Sequence, residues 1–251
     1  MKIRIKFSKH GLMRYIGHLD TMRFFQKAIR RAQIDIAYSE GFSPHQIMSF
    51  AYPLGVGMES DAEYFDIEVR TFTDAEDVRS RLDLVTGEDV SILSVRMLPE
   101  RAENCMSAVI GADYMIGCKK GYDHTLLPKD RKLWEEALSS FMARETVIVE
   151  KSTKKGTQMT DIRPFIIECR LCDAVETDAF SSEDIMDTEC PVLFLKACAG
   201  SRANLKPGLF MQTFLDYAGW EAEELGIAVT RKELYALSGE TWIPLEDVGT
   251  E

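Results

Sequence analysis

The chain contains no apolar run of the roughly 18 residues that a membrane-spanning helix needs. Its first residues, MKIRIKF, alternate charge with aliphatics and lack the apolar centre of an export signal. The expectation is a cytoplasmic protein with no membrane partner. Gly41 and the Gly55-Val-Gly57 segment match neither a P-loop nor a dinucleotide fingerprint, and no Cys-x3-Cys-x2-Cys run is present. Six cysteines are scattered along the chain (Cys105, Cys118, Cys169, Cys172, Cys190 and Cys198), which suits free thiols better than a disulfide frame. Cys169-Arg-Leu-Cys172 has the spacing of half a zinc knuckle, but no second Cys-x2-Cys or His pair completes it. Within a strand, residues three apart also face opposite sides. No metal ligand set and no cofactor are therefore expected. Internal repeats and low-complexity segments are absent as well.

The most telling scarcity is of acid near the start. Residues 1–33 contain nine Lys or Arg and a single carboxylate, Asp20, although the whole chain of 251 residues carries a net charge of −11. A polarised protein of this kind can present a local anion-binding face on a repulsive body. The length suits two domains.

The patterning indicates an α+β protein. Lys2–Phe7 alternates basic and apolar residues, so it reads as a half-buried strand with Lys2, Arg4 and Lys6 outward. His18–Gln33 reads as a helix whose apolar stripe is Met22, Phe25, Ile29 and Ala32. A Gly/Pro-punctuated stretch, 38–57, holds a short strand at Ile47–Ala51. A strand at Glu63–Arg70, a helix from Asp74 to Val85 and a strand at Val90–Met97 follow. This β-α-β-β-α-β order predicts a ferredoxin-like (split βαβ) domain over residues 1–98. After a linker at Pro99–Met106, residues 107–251 read as a second, irregular ferredoxin-like unit. Its expected elements are strands at Ala112–Cys118, Glu145–Lys151, Arg163–Val175, Val192–Cys198 and Ala228–Leu237, and helices at Lys129–Ala143 and Pro207–Ala218.

The basic helix face carries the main functional signal. Arg23, Lys27, Arg30 and Arg31 recur at helical spacing, with Lys6 on the preceding strand, and several cations along one face suit a phosphate backbone. Tyr38, Phe42 and His45 in the following loop suit contact with an unpaired base or a partner. The opposing reading is that the excess acid elsewhere neutralises this face, or that it docks on an acidic protein. His18 and His45, with Lys9 nearby, also permit a metal-independent RNA endonuclease, in which a histidine moves the proton and Lys9 stabilises phosphorane charge. A packed or loop-fixing role is the plainer reading for both. Glu59, Asp61, Glu63 and Asp66 suggest a solvated edge or a partner for the basic helix more than a metal cluster.

Gly17-His18-Leu19-Asp20, the Arg30-Arg31 helix, Tyr38-Ser-Glu-Gly-Phe-Ser-Pro-His45 and Pro53-Leu-Gly-Val-Gly57 together resemble the radical SAM-linked proteins of bacteria. The match covers roughly residues 2–70, with a weaker likeness at Thr230–Tyr235. Lys27 stands where that family has arginine, which keeps the charge but weakens bidentate phosphate contact. The strand–helix order with its basic helix is also similar to the ferredoxin-like domains of CRISPR repeat-associated RNA-binding proteins. The first resemblance implies association with a radical SAM enzyme and supplies no catalytic residues. The combined expectation is a non-catalytic RNA-binding or adaptor protein serving a radical SAM enzyme that acts on RNA. The alternatives are the endonuclease and a purely protein-docking module.

Overall fold

A computed structural model describes residues 1–153, 156–178, 187, 189–220 and 226–249. The chain divides into two compact units, one formed by 1–111 with 231–251 and the other by 112–230. The linear reading placed 231–251 with the later part of the chain, whereas here those residues group with the first unit.

The first unit opens with β1 (Lys2–Lys9), a 3-10 turn (Gly11–Tyr15) and α1 (His18–Arg31). Next come β2 (Met48–Phe50), β3 (Glu59–Glu68), α2 (Ala75–Thr86), β4 (Ile92–Met97) and the single turn α3 (Cys105–Ala108). The strands lie in the order β4-β1-β3, with β2 also paired to β3. The β1–β3, β1–β4 and β2–β3 pairs are all antiparallel. Alternation on β1 sends Ile3, Ile5 and Phe7 into the core and Arg4 and Lys6 to the other face, in register with Asp66 and Tyr64 of β3. α1 buries Thr21, Phe25, Ala28 and Ile29 and starts after Gly17, which offers no side-chain cap. α2 is capped by Asp74, whose carboxylate accepts from Asp77 N at 2.7 Å. Phe7, Phe25, Phe50 and Phe65 meet at ring separations of 4.6–6.3 Å, so the short strand β2 is tied to the core through an aromatic cluster. Gly11 opens the 3-10 turn after β1 with a positive φ of 53°. A Cβ there would lie 2.1 Å from the Asp89 carboxylate, so both backbone and space require glycine.

The second unit contains β5 (Gly111–Cys118), α4 (Arg131–Met142), β6 (Ile148–Thr153), β7 (Gly156–Asp161) and β8 (Ile166–Leu171). It continues with α5 (Ala174–Asp178), β9 (Leu193–Cys198) and α6 (Pro207–Ala218). Strand β10 (Ile227–Ser238) begins in this unit and runs into the first, where β11 (Thr241–Pro244) pairs back on it. β8 and β9 are antiparallel, and β5 lies beside β9. Trp134 and Phe141 of α4 pack on Phe210 and Phe214 of α6, and Trp220 closes the cluster. β6 and β7 form a separate hairpin.

The architecture is thus mixed α+β. Two expectations need correction. The long strand expected over Arg163–Val175 is a 3-10 turn at Arg163–Phe165, strand β8, and then α5. Pro164 has no N–H to give a ladder. Asp173 and Glu176 form a reciprocal capping box, with Glu176 N donating to Asp173 Oδ1 at 2.8 Å and Asp173 N to Glu176 Oε2 at 3.0 Å. β7 had no expected counterpart, because its mostly exposed Gly-Thr-Gln-Met-Thr-Asp carries no alternating apolar signal.

Candidate nucleic-acid interface

The carboxylates of β3 do not form a solvated edge, and their partners are not on α1. Asp66 is buried and accepts from Arg4 Nε at 2.8 Å and Nη2 at 3.0 Å. It also accepts from Cys105 N at 2.7 Å, while Arg4 Nη1 reaches the Leu245 carbonyl. Glu63 holds Arg231, whose side chain is 1% exposed, at 2.7 Å. Glu59 binds Arg14 at 2.8 Å, and His10 lies between Glu59 and Asp61. Asp61 also pairs with Lys232. Hydrogen bonds donated by the His10 ring to Asp61 and Glu59 raise its pKa to about 9.

Lys6, grouped above with the helix cations, stands apart from them. It reaches Glu233 at 2.8 Å and also pairs with Glu246. Burial pulls its pKa down, but the two carboxylates outweigh burial and the net direction is upward. The face of β1 bearing Arg4 and Lys6, expected to be outward, is covered by the turn at Leu245–Val248. The chain segment that supplies this cover lies about 240 residues away in sequence.

The α1 cations differ. Arg23, Lys27, Arg30 and Arg31 are all exposed. Their spacing of three and four residues sets successive charges about 4.5–6 Å apart along the axis. Arg23 pairs with Asp20 within the helix, both side chains being about two-thirds exposed. Such surface pairs are weak and rearrange readily. Among the described residues, Lys27, Arg30 and Arg31 have no carboxylate partner. Arg30 and Arg31 donate only to the carbonyls of Gln26 and Val85, at 3.3 and 2.9 Å.

The loop after α1 is folded back and tied to the helix. Ser39 N donates to His45 O at 2.8 Å, His45 N donates to Ser39 Oγ at 3.1 Å, and Tyr38 bridges to Gln46. Buried Gln46 donates from Nε2 to the Gln26 carbonyl at 3.3 Å, the same oxygen that accepts from Arg30. One backbone carbonyl of α1 therefore joins the base of the loop to the cationic face. Phe42 lies fully exposed at the far turn, and Tyr38 is 41% exposed. His45 is exposed, and its Nδ1 lies 2.8 Å from Ser39 Oγ, so it fixes the loop.

His18 has a separate place. It packs edge-on against Phe50 at 5.5 Å and lines a small cavity with Lys9, Thr21, Tyr52 and Glu63. Burial, and then the Lys9 charge, lower its pKa. Burial also lowers that of Lys9, which donates to the Ile16 carbonyl at 2.7 Å. The cavity volume is about 20 Å³, room for one water and not for a nucleotide. No hydrogen bond or ring contact joins His18 to His45.

The chain matches, over residues 2–207, a bacterial family described as "uncharacterized protein conserved in bacteria (DUF2344)". It belongs to that family. No curated protein matches it. The match takes in α1, its loop and all of the β3 carboxylates, while the partners Arg231, Lys232, Glu233, Leu245 and Glu246 lie beyond it. No helix among the described residues is long and apolar enough to cross a membrane. Among the described residues, side chains that could hold a metal converge in the second unit, at Cys118, His124 and Cys190. Cys169 and Cys172 are not part of that group.

Proposed function

We infer that the first unit is a non-catalytic RNA-binding module that delivers or holds RNA for a radical SAM enzyme. The observation that carries this reading is the set of solvent-facing cations on α1, with no carboxylate partner among the described residues at Lys27, Arg30 and Arg31, beside a loop that holds Phe42 outward. Cations at one-turn spacing neutralise successive phosphates, and an exposed ring offers a stacking platform for an unpaired base. The strand order β4-β1-β3-β2, with antiparallel pairs and a helix in each crossover, supports a ferredoxin-like reading of this unit. The radical SAM association rests on the resemblance at Gly17–Asp20 and Tyr38–His45. Because the chain has no Cys-x3-Cys-x2-Cys run, the iron–sulfur chemistry would reside in the partner.

The test is RNA binding by the full chain across a salt series. For three to four phosphates on a single strand, affinity should fall with a log–log slope of roughly −2 to −3. Replacing Arg30→Glu and Arg31→Glu together should abolish binding. Because both side chains are exposed, the unfolding midpoint should move by no more than about 0.5 kcal/mol in stability. Unchanged RNA affinity in the double variant would defeat the proposal. Nuclease-resistant recovery of a protein partner, with no RNA affinity, would assign the surface to protein docking.

A further inference from the structure

In the second unit, Cys118 closes β5, His124 lies in the segment after it, and Asp187 and Cys190 come shortly before β9. The backbone brings these distant pieces together: Asp187 N donates to the Cys118 carbonyl at 2.8 Å, and Cys190 N lies 3.4 Å from the Asp187 carbonyl. The Cys118 Sγ, a His124 ring nitrogen and the Cys190 Sγ all fall within 4.8 Å of one another. Asp187 adds a carboxylate, its Oδ2 3.6 Å from His124 Nδ1.

The histidine supplies an independent indication. Its side chain is 3% exposed. Nε2 faces the Gly226 carbonyl at 3.2 Å, an atom that only accepts, so in the neutral ring Nε2 carries the proton. Nδ1 is then a lone pair, buried and without a hydrogen-bond partner. Natural proteins seldom leave such an atom unsatisfied. A ring that donates one N–H to a backbone carbonyl and turns the other nitrogen toward thiols has the arrangement of a metal-ligating histidine. The carbonyl is itself held in place by Lys119 N, which donates to it at 2.8 Å; the Tyr122 ring lies so close to Gly226 that a Cβ there would be 2.1 Å from it, and that ring stacks near His124 at 6.4 Å.

We propose that Cys118, His124 (through Nδ1), Cys190 and Asp187 form a structural zinc site. Zinc–sulfur bonds of about 2.3 Å and zinc–nitrogen bonds of about 2.0 Å put tetrahedral ligand atoms roughly 3.3–3.8 Å apart; Cys118, His124 and Cys190 need only a small contraction to reach this, and Asp187, beside that trio, must close in to complete the set. Two thiols, an imidazole and a carboxylate favour zinc over magnesium or calcium, which prefer oxygen ligands. Four protein ligands leave no open position, so the ion's role is to pin the end of β5 to the segment ahead of β9. Binding releases the thiol protons to solvent and involves no electron transfer.

The experiment uses the full chain, stripped with a chelator under reducing conditions and then titrated with Zn2+ against a chromophoric competitor. A parallel titration uses Co2+ alone. One ion per chain is expected, with a thiolate-to-cobalt charge-transfer band and intense tetrahedral visible bands. Cys118→Ser, Cys190→Ser and His124→Ala should each weaken binding at least tenfold, while Cys169→Ser and Cys172→Ser should leave it unchanged. The cobalt spectrum of the unaltered chain decides the matter even if a variant fails to fold. Absence of saturable binding, a cobalt spectrum without thiolate character, or loss confined to the Cys169 and Cys172 variants would overturn the proposal. So would a Cys118–Cys190 disulfide in the chain as first isolated.

Discussion

Arg4, Lys6, His10 and Arg14, on β1 and the turn after it, each lean on one or two carboxylates of the first unit. Lys27, Arg30 and Arg31, on the next helix, keep their charge toward water. Both sets lie within the same acid-poor run of 33 residues, and composition does not separate them. The difference lies in geometry. A strand in the middle of a sheet has two faces and two neighbours, so a cation there is buried and must be paired. A helix packed on one side leaves its far side wet, and charges there need no partner. The first set holds the fold together, and the second is available to a ligand.

The largest expected effect falls on the buried set. Arg4→Met leaves Asp66 uncompensated in the interior and should destabilise the unit by about 3–5 kcal/mol. Replacing the pair together, Arg4→Met with Asp66→Leu, should recover much of that loss. Denaturant unfolding checks both. A single-variant cost as small as that of Lys27→Ala would erase the distinction between the two sets.

On the exposed side, Phe42→Ala should weaken single-stranded RNA binding by about 1–3 kcal/mol, the usual worth of one stacked base, with no shift in unfolding midpoint. A titration at fixed salt measures it. Equal affinity of the variant would remove Phe42 from the interface and leave the cations as the whole site.

The smallest effect tests the link between β1 and β3. The His10 pKa is raised from 6.5 to about 9, so its contribution is fully present below pH 6.5 and is lost as pH rises through about 9. With the ring partly exposed, the loss should be on the order of 1 kcal/mol. The stability difference between the native chain and His10→Gln, followed from pH 6 to 10, should shrink over that window. A difference that stays constant would show that His10 remains in one charge state throughout.

Much of the architecture was legible in the residues. The apolar spacing around Phe25 and Ile29 marks α1, Asp74 marks the start of α2, and Pro207 marks the start of α6. These are local signals, written within one turn or one strand. The capping box at Asp173 and Glu176 was equally local but went unread, because the apolar strand pattern before it was extended too far. β7 carried no signal at all, since an exposed hairpin strand has no face to bury.

The amino-acid order by itself determined where cations concentrate, which helix carries them, and that the chain is mixed α and β, because periodicity and composition depend only on neighbours. The tertiary structure alone decided which of those cations are spent inside. Arg4 finds Asp66 62 residues away, Lys6 finds Glu233 227 residues away, and Cys118 and His124 meet Cys190. Pairings over such distances are set by strand register and chain return, and no spacing rule in the sequence encodes them.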